Sequence, residues 1–261
     1  MDGSARSYLL TVLGEFVLPH GGSVRTSRLI EALAAVDVEE RAARQAVART
    51  ASAGLLEGET AGRERIWHLT EDARTLLGDG TERIFSFHLR DRTWDGRWVI
   101  LLCSVPEPAR ELRGRLRSRL GWAGYGLLSP GVWISPWVAR EAEAVEVVAS
   151  LGLTDARTFI GCLGSLGDPA TLASMAWDLP SVDHSYGEFL TRHRDVAPRD
   201  RAEAFRALTL LVHDWRRLPF ADPDLPAELL PVPWRGDEAA AVFHHQHQAL
   251  LATATQWWHG A

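Results

Sequence analysis

The sequence predicts an α+β protein made of three successive segments. Helices with a short hairpin come first, then an alternation of strands and helices, then helices alone. Three observations carry this reading. Residues 37–69, DVEERAARQAVARTASAGLLEGETAGRERIWHL, put a helical period before a glycine stop and two short extended runs. Residues 94–165 alternate apolar strand-like runs with helical ones. Beyond residue 170 the periodicity is helical, broken by a proline-rich stretch.

Composition narrows the class. Hydrophobic residues make up 46% and charged residues 24%, which suits a globular protein and excludes a disordered or fibrous chain. No apolar run approaches the roughly 18 residues of a membrane span. The start, MDGSARSYLL, lacks the apolar core and cleavage site of a signal peptide, so a cytoplasmic location is expected. Cys103 and Cys162 lie far apart in apolar runs without metal-ligand spacing, and are expected as reduced core residues. The net charge of −6 means that any nucleic-acid surface must be local. Every basic side chain other than histidine is arginine, which suits bidentate contacts with phosphate or guanine.

In the first segment, Tyr8, Leu9, Val12, Leu13 and Phe16 follow helical spacing, and Pro19, Gly21 and Gly22 end that helix. Ser27 is the expected cap of a second helix bearing Leu29, Ile30 and Leu33. Asp37 and Glu40 read as a capping box for a third. At 100° per residue, Ala43, Ala46, Val47 and Thr50 share one face of that helix. The other face shows Arg41, Arg44, Gln45, Ala48 and Ser52, with Arg49 at its flank. Gly54 stops the helix, and Leu55–Glu59 and Arg65–Leu69 form a hairpin around Ala61-Gly62-Arg63. Thr70 caps a further helix to about Leu77, and Arg83-Ile84-Phe85 leads out. The order is that of a winged helix-turn-helix, assigned to residues 1–87.

On this reading Gln45 suits adenine and Arg44 guanine. Arg41 and Arg49, nearer the edges, suit phosphate. Arg25, Thr26 and Ser27 stand at a helix start, where backbone amides can hold phosphate. Arg63 and Arg65 flank the wing turn, where an arginine can enter the minor groove. The alternative for all of them is a solvated surface.

The second segment, 94–165, opens with RWVILLCSV as a buried strand, punctuated by Pro106 and Pro108. Glu107–Leu120 reads as a helix, Tyr125–Leu128 and Val132–Ile134 as strands, 139–151 as a helix and Arg157–Leu163 as a last strand. The order β-α-β-β-α-β is the ferredoxin-like motif. Arg110, Arg113, Arg115, Arg117 and Arg119 make the first of these helices basic. They suit a second nucleic-acid surface, a CoA-phosphate site, or simply a solvated helix or dimer rim.

The third segment, 170–261, reads as all-helical over 182–194, 199–217 and 237–258, with the connector PFADPDLPAELLPVPWRG between the last two. His213, Arg216 and Arg217 cluster on one helix and suit a CoA phosphate or carboxylate. Salt bridges back from Asp222 and Asp224 are the structural alternative. His244, His245 and His247 do not share one face and lack acidic or cysteine neighbours, so no metal site is expected. Most of the eleven tryptophans belong to cores or interfaces.

Taken together, RQAVARTASAGLLEGETAGRERIWHLT, WDGRWVILLCSVPE, YGLLSPGVWISP and HDWRRLPFADPDLPAELLPVPWRG resemble the PaaX family of bacterial transcriptional repressors of phenylacetic acid catabolism. The resemblance covers nearly the whole chain. It implies a homodimer that binds a palindromic double-stranded operator through its N-terminal winged helix. A central ferredoxin-like domain would be similar to a small CRISPR-associated endoribonuclease, and a helical C-terminal domain would take part in effector response. The implied effector is an aromatic acyl-CoA such as phenylacetyl-CoA, and no cofactor is implied. Ser104 stands where those nucleases place a metal-binding Asp, and Asp95 lies at the wrong end of the strand, so nuclease activity is not expected. The rival readings are a metal-dependent nuclease and a dimeric interaction protein that does not bind DNA.

Overall fold

A computed structural model describes residues 4–62, 64–88, 92–105 and 109–260. The chain is α+β and groups into two units. The first comprises Met1–Phe87, Gly187–Arg217 and Asp237–Ala261, and the second His88–Tyr186 and Leu218–Gly236. The residues beyond 170 therefore contribute to both.

In the first unit, α1 (Ala5–Val12) starts at Ser4, whose hydroxyl accepts from the Ser7 amide. A π turn and a 3-10 turn carry it to His20, and the two following glycines turn the chain. After β1 (Ser23–Arg25) come α2 (Thr26–Ala34), α3 (Glu40–Ser52), β2 (Leu56–Ala61) and β3 (Glu64–Leu69). β3 is the central strand, antiparallel to both neighbours, with Gly58 opposite Trp67 and Thr60 opposite Arg65.

Two of the three expected caps are corrected. α2 begins at Thr26 with no capping side chain. Thr26 is instead drawn into the sheet: its hydroxyl donates to the Arg65 carbonyl at 3.0 Å and accepts from the Trp67 indole at 2.9 Å. α3 begins at Glu40 with Glu39 as its uncapped N-cap. Asp37 lies outside the helix at φ 61°, and its carboxylate accepts from Arg206, 169 residues away. Arg206 also donates to the Ala35 carbonyl at 2.7 Å, so a distant guanidinium holds the turn that a local box was expected to hold.

Gly54, at φ 76°, takes the left-handed conformation that ends α3, as its position suggests. Thr70 caps α4 (Glu71–Ser86) through the Ala73 amide. This helix runs well past the expected end at Leu77, through Gly78 and Gly80. Tertiary packing outweighs their low propensity. Phe85 lies 5.4 Å from Phe243, and the Ile84 carbonyl accepts from Trp215 at 3.1 Å.

Three long helices from the end of the chain complete the unit: part of α8 (Leu179–His193), then α9 (Arg201–Trp215) and α11 (Gly236–His259). Their aromatic side chains fill its core. Phe16 sits 4.6 Å from Phe205 and 5.5 Å from Trp258, while Trp215 stacks on Phe243 at 4.7 Å. Such rings each contribute about 2–3 kcal/mol through apolar burial.

The second unit is built on a four-stranded antiparallel sheet of β4 (Arg97–Cys103), β5 (Gly126–Ser129), β6 (Val132–Ser135) and β7 (Ala156–Cys162), in the order β5-β6-β4-β7. With α5 (Arg110–Trp122) and α6 (Glu141–Ser150) it has the expected β-α-β-β-α-β order. The expected start of α5 at Glu107, with Pro106 and Pro108, lies outside the described residues. α5 and α6 cover one face, where Val99, Leu101, Cys103, Leu116, Leu120 and Trp133 are buried. On the other face Trp98 and Ile134 pack with Ala173 of α7 (Pro169–Ala176) and with Leu225, Leu229 and Leu230. Those three leucines belong to the proline-rich stretch, which also contains the short α10 (Leu218–Ala221). The stretch is thus a cover for the sheet as well as a connector. Its Asp224 carbonyl accepts from the Trp137 indole at 2.8 Å. Two covered faces explain the continuous apolar run of β4. Both cysteines are free, and only Cys103 is buried. Cys162 stands exposed on the edge strand β7, which corrects the expectation of a second core cysteine.

Candidate nucleic-acid interface

α3 is two-sided because its sequence is. Ala43, Ala46, Val47 and Thr50 are buried, with Thr50 donating its hydroxyl to the Ala46 carbonyl at 2.8 Å. Small residues on this face let the helix lie close to α1 and α2. The opposite face presents Arg41, Arg44, Gln45, Ala48, Arg49 and Ser52 to solvent. Arg44 is paired with Glu40 at 2.7 Å, one turn back. The ion pair is exposed, so it holds the guanidinium only weakly.

The β2–β3 hairpin is the second component. Arg65 lies flat, its guanidinium 4.5 Å from the centre of the Trp67 ring. Gly58 on the facing strand makes this possible, because a Cβ there would meet the Arg65 Nε at 2.1 Å. Trp67 was not singled out in the sequence, although Arg65 and Trp67 share a strand face at i, i+2. Arg25 stands exposed 3.7 Å from Glu64. Ser27 is exposed, whereas the Thr26 hydroxyl is committed to the internal bonds described above. Arg63 lies outside the described residues.

The structure brings the α3 residues together on one face, and joins Thr26 to Arg65. It keeps His213, Arg216 and Arg217 apart from that face in their roles. His213 is buried, stacks on Tyr8 at 4.1 Å and shares a 3.3 Å hydrogen bond with Thr11. Burial, with the nearby charge of Arg216, pushes its pKa down to about 4. Arg216 donates to the carbonyl and hydroxyl of Ser7 at 3.2 and 2.6 Å. His213 and Arg216 therefore fasten α9 to α1, and Arg217 is the exposed member of the three. Asp222 accepts from the Tyr186 hydroxyl. His247 bonds Glu15 at 2.7 Å. Among the described residues, no three or more His, Cys, Asp or Glu side chains are grouped to hold a metal ion. No helix among them is long and apolar enough to cross a membrane.

Three family models tile the chain. Residues 4–73 match the PaaX-like protein, 91–173 the PaaX protein central Cas2-like domain, and 177–260 the PaaX-like protein C-terminal domain. The chain belongs to the PaaX family. It is 25% identical over 263 residues to the transcriptional repressor PaaX of Escherichia coli strain K12, covering 96% of this chain and 82% of that protein. Its fold is similar to that of a solved structure, the uncharacterized protein Rv0674 from Mycobacterium tuberculosis. The TM-score is 0.66 at 26% identity, with 97% of this chain and 99% of the other covered. In this PaaX-family chain the C-terminal match, 177–260, spans residues of both units.

Proposed function

We propose that this chain is a DNA-binding transcriptional repressor of a catabolic operon. It acts as a homodimer and is released from its operator by an aromatic acyl-CoA such as phenylacetyl-CoA. The observation that carries the reading is the exposed Arg41/Arg44/Gln45/Arg49 face of α3, on a helix whose reverse face is buried and which is followed directly by a β-hairpin. On this reading the first 87 residues supply a winged helix-turn-helix with α3 in the major groove. Residues 94–165 are a ferredoxin-like domain, and residues 170–261 a helical C-terminal region. Gln45 and Arg44 read base edges, Arg41 and Arg49 meet phosphates, and Arg25, Ser27 and Arg65 meet the backbone beside the wing. The family relationship to a named repressor supports it.

No catalytic step belongs to this reading. Ser104 ends the β4 run where an acid would be needed for a hard cation. The test is a gel shift with the DNA upstream of the chain's own operon, over a salt series. Specific binding is expected, with a salt slope of a few phosphates, because the chain is acidic overall and its basic surface is small. Absence of binding at low salt overturns the reading.

A further inference from the structure

We propose that the cavity beside the C-terminal end of β4 is the effector site, and that it takes an organic polyanion carrying an apolar group. The proposal rests on the effector half of the repressor reading above. The cavity has a volume of about 620 Å³, inside the roughly 300–1,000 Å³ range of small-molecule sites. Arg110, Arg113 and Arg117 line it, at i, i+3 and i+7 along α5. This spacing puts all three on one helix face. Its apolar lining comes from Leu116, Leu127 and Trp133. No Asp or Glu is among the described residues that line it. Arg110 and Arg117 therefore bring two permanent positive charges to a concavity with no acid among its described lining residues, and guanidinium forks suit phosphate or carboxylate oxygens.

Three further features fit a ligand. α5 starts beside the cavity, at Arg110, and its N-cap Ala109 has no side chain to bond the first amides, which is where helices hold anions. Gly114 sits on the helix among the three arginines, and a Cβ there would meet nothing within 4 Å. The missing side chain is room. The β5–β6 turn closes the other side, where Gly131, at φ 80°, lets its carbonyl accept from the Cys103 amide at 2.9 Å. A duplex does not suit this surface, since a convex double helix cannot reach an apolar floor inside a concavity. A small molecule with phosphates at the arginines and an apolar group on Trp133 does.

The test is calorimetric titration of the full chain, without DNA, using phenylacetyl-CoA, free coenzyme A and phenylacetate. The thioester is expected to bind best, at one site per chain, because only it supplies both the polyanion and the apolar group. Arg110→Gln with Arg117→Gln is expected to weaken it by about tenfold or more. Gly114→Leu fills the cavity without touching a charge, and should weaken binding as much while leaving the melting temperature at or above that of the parent. Arg115→Gln with Arg119→Gln, off the cavity on the same helix, should leave binding unchanged. Full thioester affinity in both cavity variants overturns the site while leaving the effector reading in place. No thioester binding to the parent protein overturns the site and the effector reading together, and leaves the gel shift to judge DNA binding independently. Loss of operator affinity in the Arg110/Arg117 variant, with thioester binding intact, makes this face a DNA surface and overturns the proposal.

Discussion

α3 and α5 are each 13 residues long, start without a capping side chain and carry a row of arginines. They differ in what lies beside those arginines. α3 buries small residues on its reverse face and offers its arginines from a solvent-exposed face. α5 lines a cavity with Arg110, Arg113 and Arg117, beside Leu127 and Trp133. Arginine density alone therefore says little about a partner. The shape and polarity of the facing surface decide whether a guanidinium meets a long polymer or a small anion.

The sharpest way to break this contrast is Arg44→Ala with Gln45→Ala. Two base contacts at about 1–3 kcal/mol each predict an operator affinity lower by roughly 30-fold to 10⁴-fold. Thioester titration should not change. Equal loss in both assays would mean that the two helices do not act separately.

Acid should separate the two units next. The folded pKa of His213, about 4, lies below its unfolded value near 6.5. The unfolded chain therefore binds the extra proton first. Stability is fully present above pH 6.5 and falls as the pH drops toward 4, by about 3 kcal/mol. In the second unit the buried Cys103 and Tyr125 are shifted upward by desolvation, so they add no such acid response. Denaturation of His213→Gln across this pH range should give a flatter curve than the parent. A curve of the same slope would assign the acid loss elsewhere.

Thr26→Val tests whether the hairpin is held in place by its own packing. It removes two hydrogen bonds and leaves the buried Trp67 indole without its acceptor. A loss on the order of 2 kcal/mol is expected in urea denaturation. No loss would mean that Arg65 and Trp67 keep their stack unaided. The smallest expected effect is Arg49→Ala. Operator binding should weaken alike for all sequences, and the salt slope should fall by about one. A change in sequence preference would instead make Arg49 a base reader.

Much of the α3 surface was legible because it is a local pattern. The Ala43/Ala46/Val47/Thr50 stripe and the Gly54 stop are fixed by helical period and backbone sterics. The strands of the second unit were legible for the same reason. What escaped depends on partners far along the chain. Nothing near Asp37 announces Arg206, and nothing near Gly78 announces the Phe243 and Trp215 that carry α4 past it. The proline-rich stretch reads as a linker until Leu225, Leu229 and Leu230 are seen against the sheet. The cavity was only partly visible. The arginine spacing is in the sequence, but its walls come from the end of β4, the β5–β6 turn and α5. Only folding joins these.

The chain passes between its units after Phe87, after Tyr186, after Arg217 and after Gly236. The first unit is therefore not a module that can be lifted out with one cut. A fragment ending at Phe87 would lack Phe205 and Trp258, the ring neighbours of Phe16. A graft of this unit would have to carry three separate pieces of backbone. The same wiring discourages shuffling, because one exchange of contiguous sequence cannot replace the first unit whole.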